Sequence, residues 1–181
     1  MSLPSLHCDV VILAAGIGKR MRDAYPGLPK VLVPLAGKPM VVHLLDAVEA
    51  AGVADRITVV VGPGVEESIK KALAGRNVQF VLQEEQKGTG HAVMIARSVL
   101  PAKGNILVLY GDHPLFSAAT IRRIAQTHVE WFRQSFVDRH GQQQSNAAEL
   151  ISKACCQLPH LGNKLRARSL ESGCCPSLVN L

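Results

Sequence analysis

The sequence predicts an α/β fold, a doubly wound and mainly parallel sheet with helices on both faces. Three observations predict it. Aliphatic runs alternate with helical patterns of about ten residues between Asp9 and His128. The strongest runs are apolar at every position, as strands covered on both faces must be. Glycine or proline turns punctuate the alternation, which then breaks off beyond His128.

Taken in order, residues 9–13 form a buried strand that opens into Ala14-Ala15-Gly16. Residues 40–51 place Val41, Leu44, Leu45 and Val48 at helical spacing and stop at Gly52. Residues 56–61 are a β-branched strand halted by Gly62-Pro63-Gly64. A helix over 66–74 turns Ile69 and Leu73 inward and leads to a strand over 79–82. Residues 91–100 read as a helix, and residues 106–109 as a fourth strand closing on Tyr110-Gly111-Asp112. Ser117 is placed to cap a helix over 118–128. Right-handed crossovers and central burial of the first run predict the strand order 3-2-1-4, a Rossmann-like arrangement. Its first and fourth strands are neighbours, so the loops 14–20 and 110–114 should share one crevice at their carboxyl ends. The long connection 21–39 should cover its rim.

Composition narrows the function classes. The chain has 181 residues, 48% apolar and 19% charged, with mean hydropathy +0.16, which excludes wholesale disorder and coiled coil. No apolar run is long enough to span a bilayer, and the start has no basic stretch before its apolar segment. The expected compartment is the cytoplasm. The net charge of +6 divides into +4 over the first 128 residues and +2 over the rest, without a block of five like charges, so nucleic acid is not an expected partner. Cys8 stands apart from Cys155, Cys156, Cys174 and Cys175, whose adjacent pairs lack zinc-knuckle spacing.

Four loops carry candidate chemistry. In Leu13-Ala14-Ala15-Gly16-Ile17-Gly18-Lys19-Arg20-Met21, two glycines after a buried strand let the backbone present N–H groups to phosphate oxygens, with Lys19 and Arg20 adding charge. The loop matches neither the P-loop nor the dinucleotide fingerprint, and taken alone an ordinary strand–helix turn explains it as well. In Leu28-Pro29-Lys30-Val31-Leu32, Pro29 constrains the chain that projects the Lys30 ammonium. In the segment 82–92, Gln83 offers an amide able to read a base edge. Gly88-Thr89-Gly90 allows close backbone approach, and His91 suits a packing or hydrogen-bonding role at the helix start. In Tyr110-Gly111-Asp112-His113-Pro114-Leu115, a carboxylate at the end of a central strand suits Mg²⁺.

Leu-Ala-Ala-Gly-x-Gly-x-Arg-Met, Leu-Pro-Lys, Leu-Gln-x-Glu-Gln-x-Gly-Thr-Gly-His-Ala and Tyr-Gly-Asp-x-Pro-Leu occur in this order. Together they resemble the nucleotidyltransferase domain of the bacterial N-acetylglucosamine-1-phosphate uridylyltransferases, which usually carry an acetyltransferase domain as well. The resemblance spans residues 9–128 and implies a fold of the nucleotide-diphospho-sugar transferase type. It also implies the reaction of UTP with N-acetylglucosamine 1-phosphate to give UDP-N-acetylglucosamine and pyrophosphate. By motif, Leu13, Ala14, Ala15, Gly16 and Gly18 would line the nucleotide site, and Arg20 and Lys30 would act on the phosphates as catalytic residues. Gln83, Gly88 and Thr89 would hold uracil, and Tyr110 and Gly111 would border the sugar nucleotide. Asp112 would bind Mg²⁺, the implied cofactor.

Residues 129–181 are expected to differ. Glycine falls from 12 in the first 128 residues to 3 in the last 53, and Gln142-Gln143-Gln144-Ser145-Asn146 has no counterpart upstream. Only 147–156 looks helical, and no strand pattern shows. The acceptor-sugar contacts, the second metal ligand and the hexapeptide repeats of the resembled enzymes are not found there. The expectation is a nucleotide-binding half over 1–128, incomplete on its C-terminal side, followed by an out-of-frame or disordered tail over 129–181. A bare sheet edge would then invite self-association. Three readings follow: an active uridylyltransferase, a nucleotide-binding fragment without turnover, and a sister transferase of the molybdenum-cofactor or cytidylyl type.

Overall fold

The computed structural model describes residues 6–16, 18, 21, 24–102, 104–138 and 178–180, with backbone alone for 132–138 and 178–180. Its strands are β1 (Cys8–Ala14), β2 (Pro34–Leu35), β3 (Lys38–Pro39), β4 (Ala54–Val61), β5 (Gln79–Leu82), β6 (Asn105–Tyr110) and β7 (Leu178–Asn180). Its helices are α1 (Met40–Ala51), α2 (Glu66–Ala72), α3 (Thr89–Ala96) and α4 (Ala118–Asp138).

The main sheet runs β5-β4-β1-β6-β7. The first four strands are parallel, in the order the crossover argument predicts. Strand alternation divides the core into two layers. Val10, Ile12, Ile57, Val59, Val61, Leu107 and Leu109 face one side, against Val41, Leu44 and Leu45 of α1, Ile69 of α2 and Ile121 of α4. Val11, Val60, Ile106 and Val108 face the other, against Ala92 and Ala96 of α3. Burial on both faces is why these strands carry unbroken aliphatic runs.

Two differences from the sequence reading have local causes. The connection 21–39 contains a small hairpin, β2 to β3, too short to leave an alternation in sequence. The helix predicted over 118–128 continues to Asp138, because nothing between His128 and Asp138 breaks a helix. Ser117 caps it as expected, its hydroxyl oxygen accepting from the Thr120 N–H at 3.1 Å.

The outer edge of β6, expected bare, is covered in part. β7 pairs with it antiparallel, Asn105 opposite Asn180 and Leu107 opposite Leu178. Leu-Val-Asn is too short to announce a strand, and only the exposed ladder of β6 gives it a partner. Among the described residues no helix is long and apolar enough to cross a membrane.

Candidate functional site

Because β1, β4, β5 and β6 are parallel, their carboxyl ends and the turns that follow lie along one edge of the sheet. β1 and β6 are in direct register there, Leu13 opposite Tyr110. The Gly111 N–H donates to the Leu13 carbonyl at 2.9 Å, extending the pairing one residue into the turns. A Cβ on Gly111 would sit 3.1 Å from that oxygen and 3.1 Å from Val31 Cγ1, so the turn after β6 lies flat on its neighbours.

Lys30 opens a single 3-10 turn, Lys30–Leu32, entered from Pro29. Val31 and Leu32 are buried and anchor this turn in the core, which leaves Lys30 as its outward member. Its ammonium donates to Asp112 Oδ2 at 2.5 Å. Gly18 adopts φ +63°, and a Cβ there would stand 2.6 Å from Lys30 Cβ. Glycine at position 18 is therefore required twice over, by the left-handed backbone and by the space Lys30 occupies. Gly16 borders open space. Leu13, Ala14, Ala15, Gly16, Gly18, Lys30, Tyr110, Gly111 and Asp112 thus gather around the carboxyl ends of β1 and β6. Arg20 and Lys19 lie outside the described residues.

Gln83, Gly88 and Thr89 form a second group along the same edge. Gln83 is buried, and its backbone N–H donates to the Val61 carbonyl at 2.8 Å, carrying the β4–β5 pairing past the end of β5. Its amide nitrogen donates to the Gly88 carbonyl at 3.2 Å and to His91 Nδ1 at 3.0 Å. Both amide hydrogens are thereby used inside the loop, and His91 is tied to it at the first turn of α3. Gly88 precedes α3 at φ +99°, leaving Thr89 as the exposed first helical residue.

Gln86 joins the two groups. Its amide nitrogen donates to the Ala15 carbonyl at 2.6 Å, beside Gly62 in the turn after β4. Sequence reasoning gave neither residue a role. Gln86 stood inside a motif beside residues with more obvious chemistry, and Gly62 read only as a strand stop.

Cys8 lies at the opposite end of β1. Burial, aided by Asp55 and Asp9, pushes its thiol up to about 12, which makes it inert. Asp9, also buried there, accepts from Arg56 Nε at 2.8 Å. A surface cleft of about 240 Å³ beside Glu49, Asp55 and Arg56 belongs to that end too and shares no residue with the loops above. Among the described residues no group of three or more His, Cys, Asp or Glu side chains is placed to hold a metal.

A sequence profile of the MobA-like NTP transferase domain matches residues 10–172. The chain belongs to this family. As an NTP transferase domain, it is 52% identical over 122 residues to the bifunctional protein GlmU of Burkholderia thailandensis, a match covering 67% of this chain and 26% of that protein. Against GlmU of Burkholderia pseudomallei the identity is 50% over the same length. The chain spans about a quarter of the length of these curated relatives. Among solved structures, a nucleotidyl transferase from Methanothermobacter superposes with a TM-score of 0.54 at 35% identity, covering 66% of this chain and 57% of that one. Rv0371c from Mycobacterium tuberculosis superposes with a TM-score of 0.59 at 25% identity, covering 72% and 63%. The family match runs past residue 129, where the composition changes.

Proposed function

We propose that this NTP transferase domain binds UTP and takes part in uridylyl transfer to N-acetylglucosamine 1-phosphate. A phosphate oxygen of the sugar phosphate attacks the α-phosphorus of UTP in line, the α–β bridging bond breaks, and pyrophosphate leaves. The reading rests on one observation above the others: Gly18, Lys30 and Asp112, from three separate segments, converge at the carboxyl ends of neighbouring parallel strands. The motifs shared with the bacterial N-acetylglucosamine-1-phosphate uridylyltransferases support the choice of substrates.

The chain's own residues supply position and charge. The Gly16–Gly18 turn offers backbone N–H groups to the triphosphate. Lys30, already held beside Asp112, neutralises charge that builds on the phosphates, and Arg20 is proposed to assist. Gln83, Gly88 and Thr89 shape the base subsite, Gln83 by fixing the loop it is bonded into. Tyr110 and Gly111 border the sugar end.

The donor set fits Mg²⁺. That ion is held typically by one or two carboxylates, with substrate phosphates and water completing its shell. Asp112, one-quarter exposed at a strand end, is such a carboxylate. When bound, the ion would draw charge from the phosphates. The division into a nucleotide-binding half over 1–128 and a stretch over 129–181 that differs in composition belongs to the same proposal, as does a cytoplasmic setting.

The test is pyrophosphate release from UTP, N-acetylglucosamine 1-phosphate and Mg²⁺, run beside a UTP binding titration. UTP binding is the expected result, and turnover would extend it to the complete transfer. Binding without turnover would restrict the domain to nucleotide binding, and a preference for CTP or GTP would assign it to a sister transferase. No binding of any nucleoside triphosphate would overturn the proposal.

A further inference from the structure

The turns after β1, β4 and β5 meet at a point that the proposed phosphate chemistry does not use. Gln86 Nε2 donates to the Ala15 carbonyl at 2.6 Å. Gly62 passes so close that a Cβ there would stand 2.9 Å from both the Ala15 oxygen and Gln86 Nε2. The backbone of Gly62 is not left-handed, so space alone, and not φ, calls for glycine at this position. The segment 83–91 hangs from β4 by the Gln83 N–H, which donates to the Val61 carbonyl, and is otherwise held by its own bonds, from the Gln83 amide to Gly88 and His91. Gln86 is the side chain that fastens this self-held unit to the backbone of the β1 turn.

We propose that Gln86 is a positioning residue that sets the 83–91 loop at a fixed distance from the Gly16–Gly18 turn, with Gly62 providing the room. This rests on the nucleotide reading above. A nucleoside triphosphate seated by its phosphates on the β1 turn presents its base at a fixed reach, and the clasp decides whether the 83–91 loop meets that base in register. Without the Gln86 bond the loop keeps its internal shape and its two ends, on β4 through Gln83 and on the core through Ala92, but its middle loses its side-chain tie to the β1 turn and its distance from that turn is no longer set. Phosphate contacts through Lys30 survive, and selectivity for the base does not. A residue that only stabilised the fold would weaken all nucleotides alike.

The experiment uses the full chain with Mg²⁺, titrated by calorimetry with UTP and separately with CTP, in wild type, Gln86→Ala and Gln86→Glu. The Glu variant keeps the size but, ionised at pH 8, has no hydrogen to donate to Ala15. One hydrogen bond of this kind predicts that both variants lose about three- to tenfold in UTP affinity while CTP affinity stays put, so that the UTP-to-CTP ratio shrinks. Hydrogen exchange in the nucleotide-free protein should quicken across residues 14–18, with melting temperatures little changed. An unchanged ratio and unchanged exchange in both variants overturn the inference alone. A wild type that binds neither nucleotide overturns the parent reading and this one with it.

Discussion

Lys30 and Asp112 stand 82 positions apart in the chain, and their pairing is the most informative contact at the site. With Lys30 38% and Asp112 25% exposed, the ion pair contributes little to stability, below about 1 kcal/mol by the usual worth of such pairs. Lys30→Ala should therefore leave the melting temperature nearly unchanged while removing turnover. A rate close to wild type would strike Lys30 from the mechanism. Cys8 gives the opposite kind of prediction, from burial and not from reach. With its thiol pushed up to about 12, it carries almost no thiolate at pH 8 and should resist alkylation in the folded protein. Mass-spectrometric mapping should find Cys8 modified only after denaturant is added, and rapid native labelling would contradict the burial described.

At the scale of elements, α1 shows how a helix is fastened at both faces. Its inner face is the unbroken set Val41, Leu44, Leu45 and Val48, visible in sequence as helical spacing. Its outer face is fixed by charges that spacing does not reveal. Asp46 accepts from Lys38 on β3 and from Arg76 in the connection before β5, each at 2.6 Å, and Arg76 also pairs with Glu49. The Lys38 hydrogen bond first, and Arg76 with it, hold the Asp46 carboxyl below its ordinary value. A carboxyl depressed on folding contributes stability above its unfolded pKa and loses it as pH falls through the folded one. Asp46→Asn should thus lower the melting temperature near neutrality and converge with wild type in acid, below the ordinary carboxylate range. The group is about one-third exposed, so the difference should stay under about 1 kcal/mol. Parallel melting curves at every pH would remove the network from the account.

At the scale of the molecule, the open question is the edge of the sheet. β7 covers β6 over Asn105–Leu107, and among the described residues no other strand pairs with β6 on that side. Deleting residues 178–181 should bare the rest of the ladder and raise the apparent mass in sedimentation at micromolar concentration, since unpaired edges recruit other chains. A monodisperse monomer after deletion would show that β7 is not what protects this edge.

Much of this was legible in the sequence. Burial on both faces selects aliphatic runs, so the parallel strands of the main sheet and their order 3-2-1-4 could be read from residues 9–13, 56–61, 79–82 and 106–109. The glycine turns and Leu-Pro-Lys announced themselves because turns demand particular residues. The hairpin at Pro34–Pro39 and the strand at Leu178–Asn180 did not, being too short to carry a period. By itself the sequence determined the four longer strands, the helices between them and where the backbone must bend, since those are local preferences of a few neighbouring residues. Tertiary structure alone decided that Lys30 meets Asp112, that Gln86 reaches Ala15 across 71 positions and that Gly62 must make room for it. Those contacts join residues far apart in the chain, and only the stacking of parallel strands brings their turns to one edge.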